Sequence, residues 1–367
     1  MEGIEDRETG EISNMIQTTK ELIHRLEADP RTDSAIITAY CRIISIYGDD
    51  EDARALFRVF AEDPSDYRRV LLLDPVMRCG GLELAEDIAR VSFDQGSLRE
   101  DMPSDILHVL GYMGYEKYMD YMAACVCEDD WDLSKDACLG LLHLPCQAYR
   151  ERFESEWNKV AGQPLFPEFL PALSYTFADE RIVPKLMSWG KTASTDCNAG
   201  LLLGISMFGP SQKERVRQIL MDPFWELNST GTGSHWWAYM CMPMTGLTFA
   251  EIIADLKNRT PVGGGTGDHR PDEIWIGHGY HVLHDLIEVK LAGDPHPIKY
   301  APQNTEKMID LYRDLFQWSS SHEDDSVPGR ISAYLGYDHP LIDQYAGLRM
   351  KMEMALQKEL EMDLMRK

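Results

Sequence analysis

Apolar residues recur along this chain at the three- and four-residue spacing of an α-helix, and sustained alternation of apolar and polar residues is almost absent. One phrase repeats: an apolar helix ends at a small or aromatic residue and a turn, and a more polar helix follows. The segment AYCRIISIYG precedes DDEDARALFRVF, and DILHVLGYMG precedes YEKYMDYMAACV. The pattern predicts an all-α fold built from helix pairs.

The predicted turns between paired helices fall at a nearly constant interval of 31 to 37 residues. They lie near Gly48, Gly80, Gly114, Pro145, Ala178, Gly209 and Gly246. One pair is too small to bury its own apolar face, so stacking on its neighbours is needed to complete the core. We expect the glycine that ends a first helix to be left-handed, and Asp, Ser or Thr to cap the second helix.

This arrangement resembles the HEAT-like α-solenoids, in particular the short HEAT repeats of the phycobilisome-lyase type. The resemblance covers roughly residues 30–258, rests on helix-pair periodicity, and implies a right-handed α-α superhelix of about seven helix pairs. The T-P-L-H phrase of ankyrin repeats and the W-x2-L-G-x2-Y pattern of tetratricopeptide repeats are missing. The HEAT-like deoxyhypusine hydroxylase binds metal through paired His-Glu dipeptides, whereas this sequence has only His322-Glu323.

The pattern changes at both ends of the predicted array. We expect a capping helix at about 11–28 within residues 1–29, the array over residues 30–258, and a helical C-terminal module over residues 259–367. That module is either an atypical cap or a small helical unit that carries the function. The last helix, from about Pro340 to the end, is rich in methionine. Core or cap packing is the simpler interpretation of these methionines. Because methionine side chains adapt to varied surfaces, homo-oligomerisation through this helix is the alternative.

The charge of the chain indicates which class of partner it can bind. It carries 61 acidic and 36 basic residues, a formal net charge of −25, without a basic patch. Such a surface repels phosphate backbones, which argues against nucleic-acid binding and against a HEAT-like glycosylase, and it favours a basic protein partner. We find no apolar run long enough for a membrane span and no signal peptide at the start, and eight dispersed cysteines favour reduced thiols in the cytoplasm.

Two Gly-Thr-Gly-x-His loops are the main candidate ligand site. They read GTGSHWW from Gly231 and GTGDHRPDEIW from Gly265, 34 residues apart, which is the repeat period. Before a helix N-terminus, such loops offer free N–H groups to an anion, although a repeated structural turn is the simpler interpretation. The candidate ligand-binding residues are Gly231, Thr232, Gly233, His235, Trp236, Gly265, Thr266, Gly267, His269, Arg270, Trp275 and His281.

A histidine-rich helix, HGYHVLHD, is the alternative metal site. His281, His284, Asp285 and Glu288 are three or four residues apart in pairs, so one helix face could present two imidazoles and a carboxylate. A second helix with a matching pair is missing, and helix-surface histidines held by carboxylates are the simpler interpretation. We therefore predict neither a metal nor another cofactor.

Two functions follow from these patterns. The first is a non-enzymatic scaffold whose acidic concave surface binds a protein, for example as an immunity or antitoxin-type inhibitor of a basic toxin. The alternative is an enzyme or small-ligand-binding protein with a pocket lined by His and Trp where the repeats meet the C-terminal module. The nucleotide-binding, protease and kinase motifs that we sought do not occur, which favours the scaffold.

Overall fold

The computed structural model describes residues 15–29, 31–32, 37, 40–41, 44–45, 48–194, 197–222, 225, 241–247 and 251. These residues are mostly helical, which confirms the predicted all-α character. They form two compact units, the first ending at Tyr121 and the second beginning at Met122. Within them, no helix combines the length and the apolar composition needed to cross a membrane.

The helices of the first unit are short and follow the predicted helix pairs. They are α1 (Gln17–Ala28), α2 (Asp50–Glu62), α3 (Tyr67–Val70), α4 (Leu73–Cys79), α5 (Leu82–Ser92), α6 (Asp105–Tyr112) and α7 (Met119–Cys125), with a 3-10 turn at Glu116–Tyr118 and the start of the second unit within α7. Between α1 and α2, residues 37, 40, 41, 44 and 45 are helical, and the first four are buried.

A small β-hairpin separates α5 from α6. Strand β1 (Phe93–Asp94) pairs antiparallel with β2 (Ser97–Leu98). The two turn residues, Gln95 and Gly96, have φ angles of 49° and 89°, which suits the right-handed twist of a two-residue hairpin. Because each strand has only two residues, no alternation in the sequence was long enough to predict it.

The second unit combines α-helices with 3-10 segments. Its elements after α7 are α8 (Trp131–Leu141), a 3-10 helix at Cys146–Tyr149, α9 (Arg150–Val160), 3-10 helices at Leu170–Thr176 and Glu180–Ile182, α10 (Val183–Gly190), α11 (Asn198–Ser206), a 3-10 helix at Gly209–Gln212, α12 (Lys213–Leu220) and α13 (Met242–Thr245). The sequence predicts an ordinary helix over the segment ALSYTFA, but the structure places most of it in a 3-10 helix that includes Pro171. Proline lacks the N–H that an α-helix needs, and Pro167 precedes the same segment.

Aspartate side chains cap several helices, and Asp49 caps the second helix of a predicted pair, as expected. The Asp49 carboxylate accepts hydrogen bonds from the N–H groups of Glu51 and Asp52, while the Asp52 carboxylate accepts one from the N–H of Asp49. This reciprocal arrangement is a capping box at the start of α2. Asp130 caps α8 by accepting from the N–H of Leu133 at 3.1 Å.

The glycine turns divide into two kinds. Gly114, Gly209 and Gly246 have φ angles of 77°, 81° and 66°, the left-handed conformation that the sequence predicts. Gly48 and Gly80 are not left-handed; a Cβ atom at either would lie 2.7 Å from the carbonyl oxygen four residues earlier. At these two turns glycine is needed for close approach of the backbone, so the predicted left-handed cap is wrong there.

Hydrogen bonds in the first unit join residues about one predicted period apart. Ser45 Oγ donates to Asp74 at 2.9 Å, across 29 residues of chain. The Gly81 N–H donates to Asp50 at 3.0 Å, across 31 residues. Thus α2 and the helical residues before it are tied by side-chain oxygens to the α4–α5 region.

Similar separations occur in the second unit. Cys197 Sγ donates to the carbonyl oxygen of Phe166 across 31 residues, and Ser211 Oγ donates to Glu180 across 31 residues. Asn198 Nδ2 donates to the carbonyl oxygen of a residue 27 positions later, at 2.6 Å. Contacts at this separation join helices that are close neighbours in the sequence.

Helix α11 is the centre of the second unit's core. All nine of its residues are buried, and it packs against the 3-10 helix at Leu170–Thr176. Gly200 and Gly204, four residues apart on one helix face, make this packing possible. A Cβ atom at Gly200 would lie 1.6 Å from the carbonyl oxygen of Glu168, and one at Gly204 would lie 2.5 Å from that of Pro171.

Three large aromatic side chains pack together in the same core. The Trp189 ring lies edge-on to Trp157 at 5.0 Å between centroids and 4.1 Å from the Phe166 ring. Trp189 Nε1 donates to the carbonyl oxygen of Gln163 at 2.6 Å, so its polar atom is satisfied despite burial. These aromatic contacts link α9 and α10 through the segment between them.

Candidate functional site

The residues of the predicted ligand site lie outside the described residues. This applies to both Gly-Thr-Gly loops, to the histidine-rich helix and to the Met-rich C-terminal helix, including Gly231, Thr232, Gly233, His235, Trp236, Gly265, Thr266, Gly267, His269, Arg270, Trp275, His281, His284, Asp285 and Glu288. The predicted boundary between residues 258 and 259 also lies there. The anion site, the metal site and the pocket at that boundary therefore stay predictions.

The described residues offer a different candidate, an acidic turn with an exposed tryptophan. Residues 128–132, Glu-Asp-Asp-Trp-Asp, connect α7 to α8 and are all exposed. Trp131 is the first residue of α8, and 48% of its surface is exposed. We call these five residues the acidic turn.

Local structure fixes the position of the acidic turn. The Asp130 carboxylate caps α8, so the backbone just before Trp131 is held in an extended conformation at the helix start. Ser134 Oγ donates to the carbonyl oxygen of Val126 at 3.0 Å, and this buried hydrogen bond holds the connecting segment against α8. The turn is thus a defined surface feature, and its negative charges suit the positive end of the helix dipole.

A lysine on α8 neutralises part of the charge of the acidic turn. Lys135 Nζ lies 3.1 Å from the Asp132 carboxylate, one helical turn away. The other charges are carboxylates, and Asp130 uses one oxygen as a helix cap. An indole ring bordered by carboxylates can hold a cation by both cation–π attraction and ion pairing.

The first unit also carries a cluster of carboxylates, around Arg54. The Arg54 guanidinium contacts Asp50 at 2.6 Å, Asp87 at 3.1 Å and Glu83 at 3.5 Å. Arg90 adds a second cation by pairing with Asp87. These three carboxylates and two guanidinium groups join α2 to α5 and leave that surface with a net negative charge.

Asp52 is the fully buried carboxylate of the first unit, and it caps two helices. It accepts hydrogen bonds from the N–H of Asp49 in α2's capping box and from the N–H of Ile16 at 3.1 Å, just before α1. Burial raises the pKa of Asp52, while hydrogen bonds from Thr19, Asp49 and Ile16 act in the opposite direction. Its bonded partners make Asp52 a structural group that ties α1 to α2.

Five of the described cysteines carry little nucleophilic character. Burial raises the pKa of the Cys79 and Cys241 thiols to about 12 and raises that of Cys138 further. Burial also raises the pKa values of Cys127 and Cys146. Since the thiolate is the reactive form, these side chains stay protonated and unreactive near neutral pH. In the same part of the chain, no group of three or more His, Cys, Asp or Glu residues is arranged to hold a metal ion.

Sequence reasoning identified the acidic run but missed the exposed tryptophan within it. On a helix, Trp131 shares a face with Ser134 and Cys138, which are both fully buried. That periodicity predicts burial for Trp131 too. In the structure, Trp131 is half exposed because it is the first residue of α8, where the apolar face of the helix extends beyond the neighbouring core.

No family model, curated protein or solved structure matches this chain. The HEAT-like resemblance of residues 30–258 accordingly stays a prediction.

Proposed function

We propose that this chain is a right-handed HEAT-like solenoid of about seven helix pairs that binds a basic protein partner and catalyses no reaction. The observation that carries the proposal is the set of hydrogen bonds between residues about one period apart, such as Ser45 with Asp74 and Ser211 with Glu180. In a solenoid each repeat contacts its sequence neighbours, so contacts at one period are the expected kind.

A stack of helix pairs suits binding better than catalysis. It presents a preformed surface, so a partner's binding energy is not spent on ordering the scaffold. The net charge of −25 attracts a basic partner over distance and accelerates its encounter. The protonated Cys79 and Cys241 thiols and the hydrogen-bonded Asp52 are poor nucleophiles.

The acidic turn is the proposed contact point in the second unit. Tryptophan is enriched among the residues that dominate binding energy, and Trp131 presents about half of its surface to solvent. Glu128 and Asp129 lie three and two residues before Trp131 and are exposed. A lysine or arginine side chain of the partner would lie against the indole ring, with these carboxylates beside it.

One concrete form of this function is a cytoplasmic inhibitor that sequesters a basic toxin. Charge complementarity alone supports that form, together with the architecture proposed above. In this role the acidic surface would cover the cationic surface of the toxin and compete with its anionic target.

The test is affinity capture with the full chain from a lysate of its host, followed by mass spectrometry. We compare wild type, Trp131→Ala and Leu165→Ala; Leu165 is a matched control because it is 51% exposed in the same unit. The expected result is a near-stoichiometric basic protein that wild type and L165A retain. W131A should retain about tenfold less, as expected for a residue at the centre of an interface.

A charge variant provides the second arm. Glu128→Gln with Asp129→Asn removes two charges from the acidic turn, whereas Glu151→Gln with Glu154→Gln removes two exposed charges from α9. Only the first pair should weaken capture, and high salt should weaken capture by wild type. Capture of no stoichiometric protein would overturn the proposed function, whereas equal capture by all variants would overturn only the proposed contact point.

A further inference from the structure

We draw no further inference here: the strongest candidate, the exposed tip of the β-hairpin between α5 and α6 with its left-handed Gln95, carries nothing because no feature of the described residues shows what covers it.

Discussion

In the first unit, the hydrogen bonds and ion pairs between helices about one period apart come mainly from charged and hydroxyl side chains. The second unit adds close backbone contacts at glycine, packed aromatic rings and hydrogen bonds to backbone carbonyls. Arg54 bridges α2 to α5 through carboxylates, and Ser45 donates to Asp74. In the second unit, Gly200 brings α11 against the backbone at Glu168, and Trp189 donates to a carbonyl oxygen.

The difference has energetic consequences. Exposed ion pairs contribute little each and weaken in salt, whereas a tightly packed backbone contact tolerates no added atom. Two kinds of interface therefore occur at the same sequence separation of about one period. Substitutions in the second unit should affect stability most, and substitutions in the first unit should respond to pH and salt.

Gly200→Ala should have the largest effect. Its Cβ atom would lie 1.6 Å from the Glu168 carbonyl oxygen, so the backbone of α11 must shift. We expect the free energy of unfolding to fall by about 3 kcal/mol, the upper part of the range for overpacking. Urea unfolding followed by tryptophan fluorescence measures this, since residues 1–121 contain no tryptophan and the signal reports the rest of the chain.

Gly81→Ala is the matched control in the first unit. A Cβ atom there would meet only Asp50 Oδ1, at 3.8 Å. Alanine is a poorer helix cap than glycine, so we expect a loss below about 1 kcal/mol, measured by circular dichroism. Equal losses in G200A and G81A would remove the contrast between the two units.

Trp189→Phe should rank second. Phenylalanine keeps an aromatic ring but cannot donate to the Gln163 carbonyl oxygen and leaves unfilled volume. We expect a loss of about 2 kcal/mol in the free energy of unfolding. Trp157→Phe is the control, because Trp157 is similarly buried and its side chain packs against other aromatic rings. It should lose about 1 kcal/mol less, and a larger loss in W157F would show that the hydrogen bond contributes little.

Asp52→Asn should lower the free energy of unfolding by about 1 kcal/mol. The pH dependence of that loss should identify its cause. Burial raises the pKa of Asp52 above its ordinary value of 3.8, so the folded protein holds this proton more tightly than the unfolded chain. The contribution of that protonated carboxyl to stability is complete below pH 3.8 and is lost as the pH rises through the folded-state pKa. Because asparagine does not titrate, wild-type stability relative to D52N should fall over that pH range.

Chemical denaturation of both proteins across acidic to neutral pH provides the measurement for D52N. A relative stability that instead rises with pH would mean that the hydrogen bonds from Ile16, Asp49 and Thr19 outweigh burial, and that the carboxylate is favoured when ionised.

Arg54→Met should have the smallest effect. Arg54 and its three carboxylate partners are all at least partly exposed, so the ion pairs together should contribute less than about 1 kcal/mol. The difference from wild type should shrink at high salt, because screening weakens the bridge from α2 to α5. Thermal unfolding at low and high salt measures this. If the loss of stability does not depend on salt, it comes from packing of the aliphatic part of the arginine side chain.

The sequence predicted the features that depend on local chemistry. The capping Asp49 and the left-handed glycines at positions 114, 209 and 246 lie where turn and cap preferences place them. Each of these depends on a few adjacent residues, so local patterns are sufficient.

Features that depend on distant residues could not be predicted. The sequence does not reveal that Gly200 contacts the backbone at Glu168, because that contact depends on how two helices approach each other. The exposure of Trp131 depends in the same way on where the neighbouring core ends. The candidate anion site at the two Gly-Thr-Gly loops lies outside the described residues and stays a prediction.

The short sequence separation of the hydrogen bonds has a consequence for the order of folding. The Gly81 N–H and the Asp50 carboxylate that accepts from it are 31 residues apart, so the chain loop that closes when they meet is short. During synthesis, α2 can dock against α4 and α5 as soon as these helices have left the ribosome, without waiting for the C-terminus. Translation speed would then set the pace at which that interface forms.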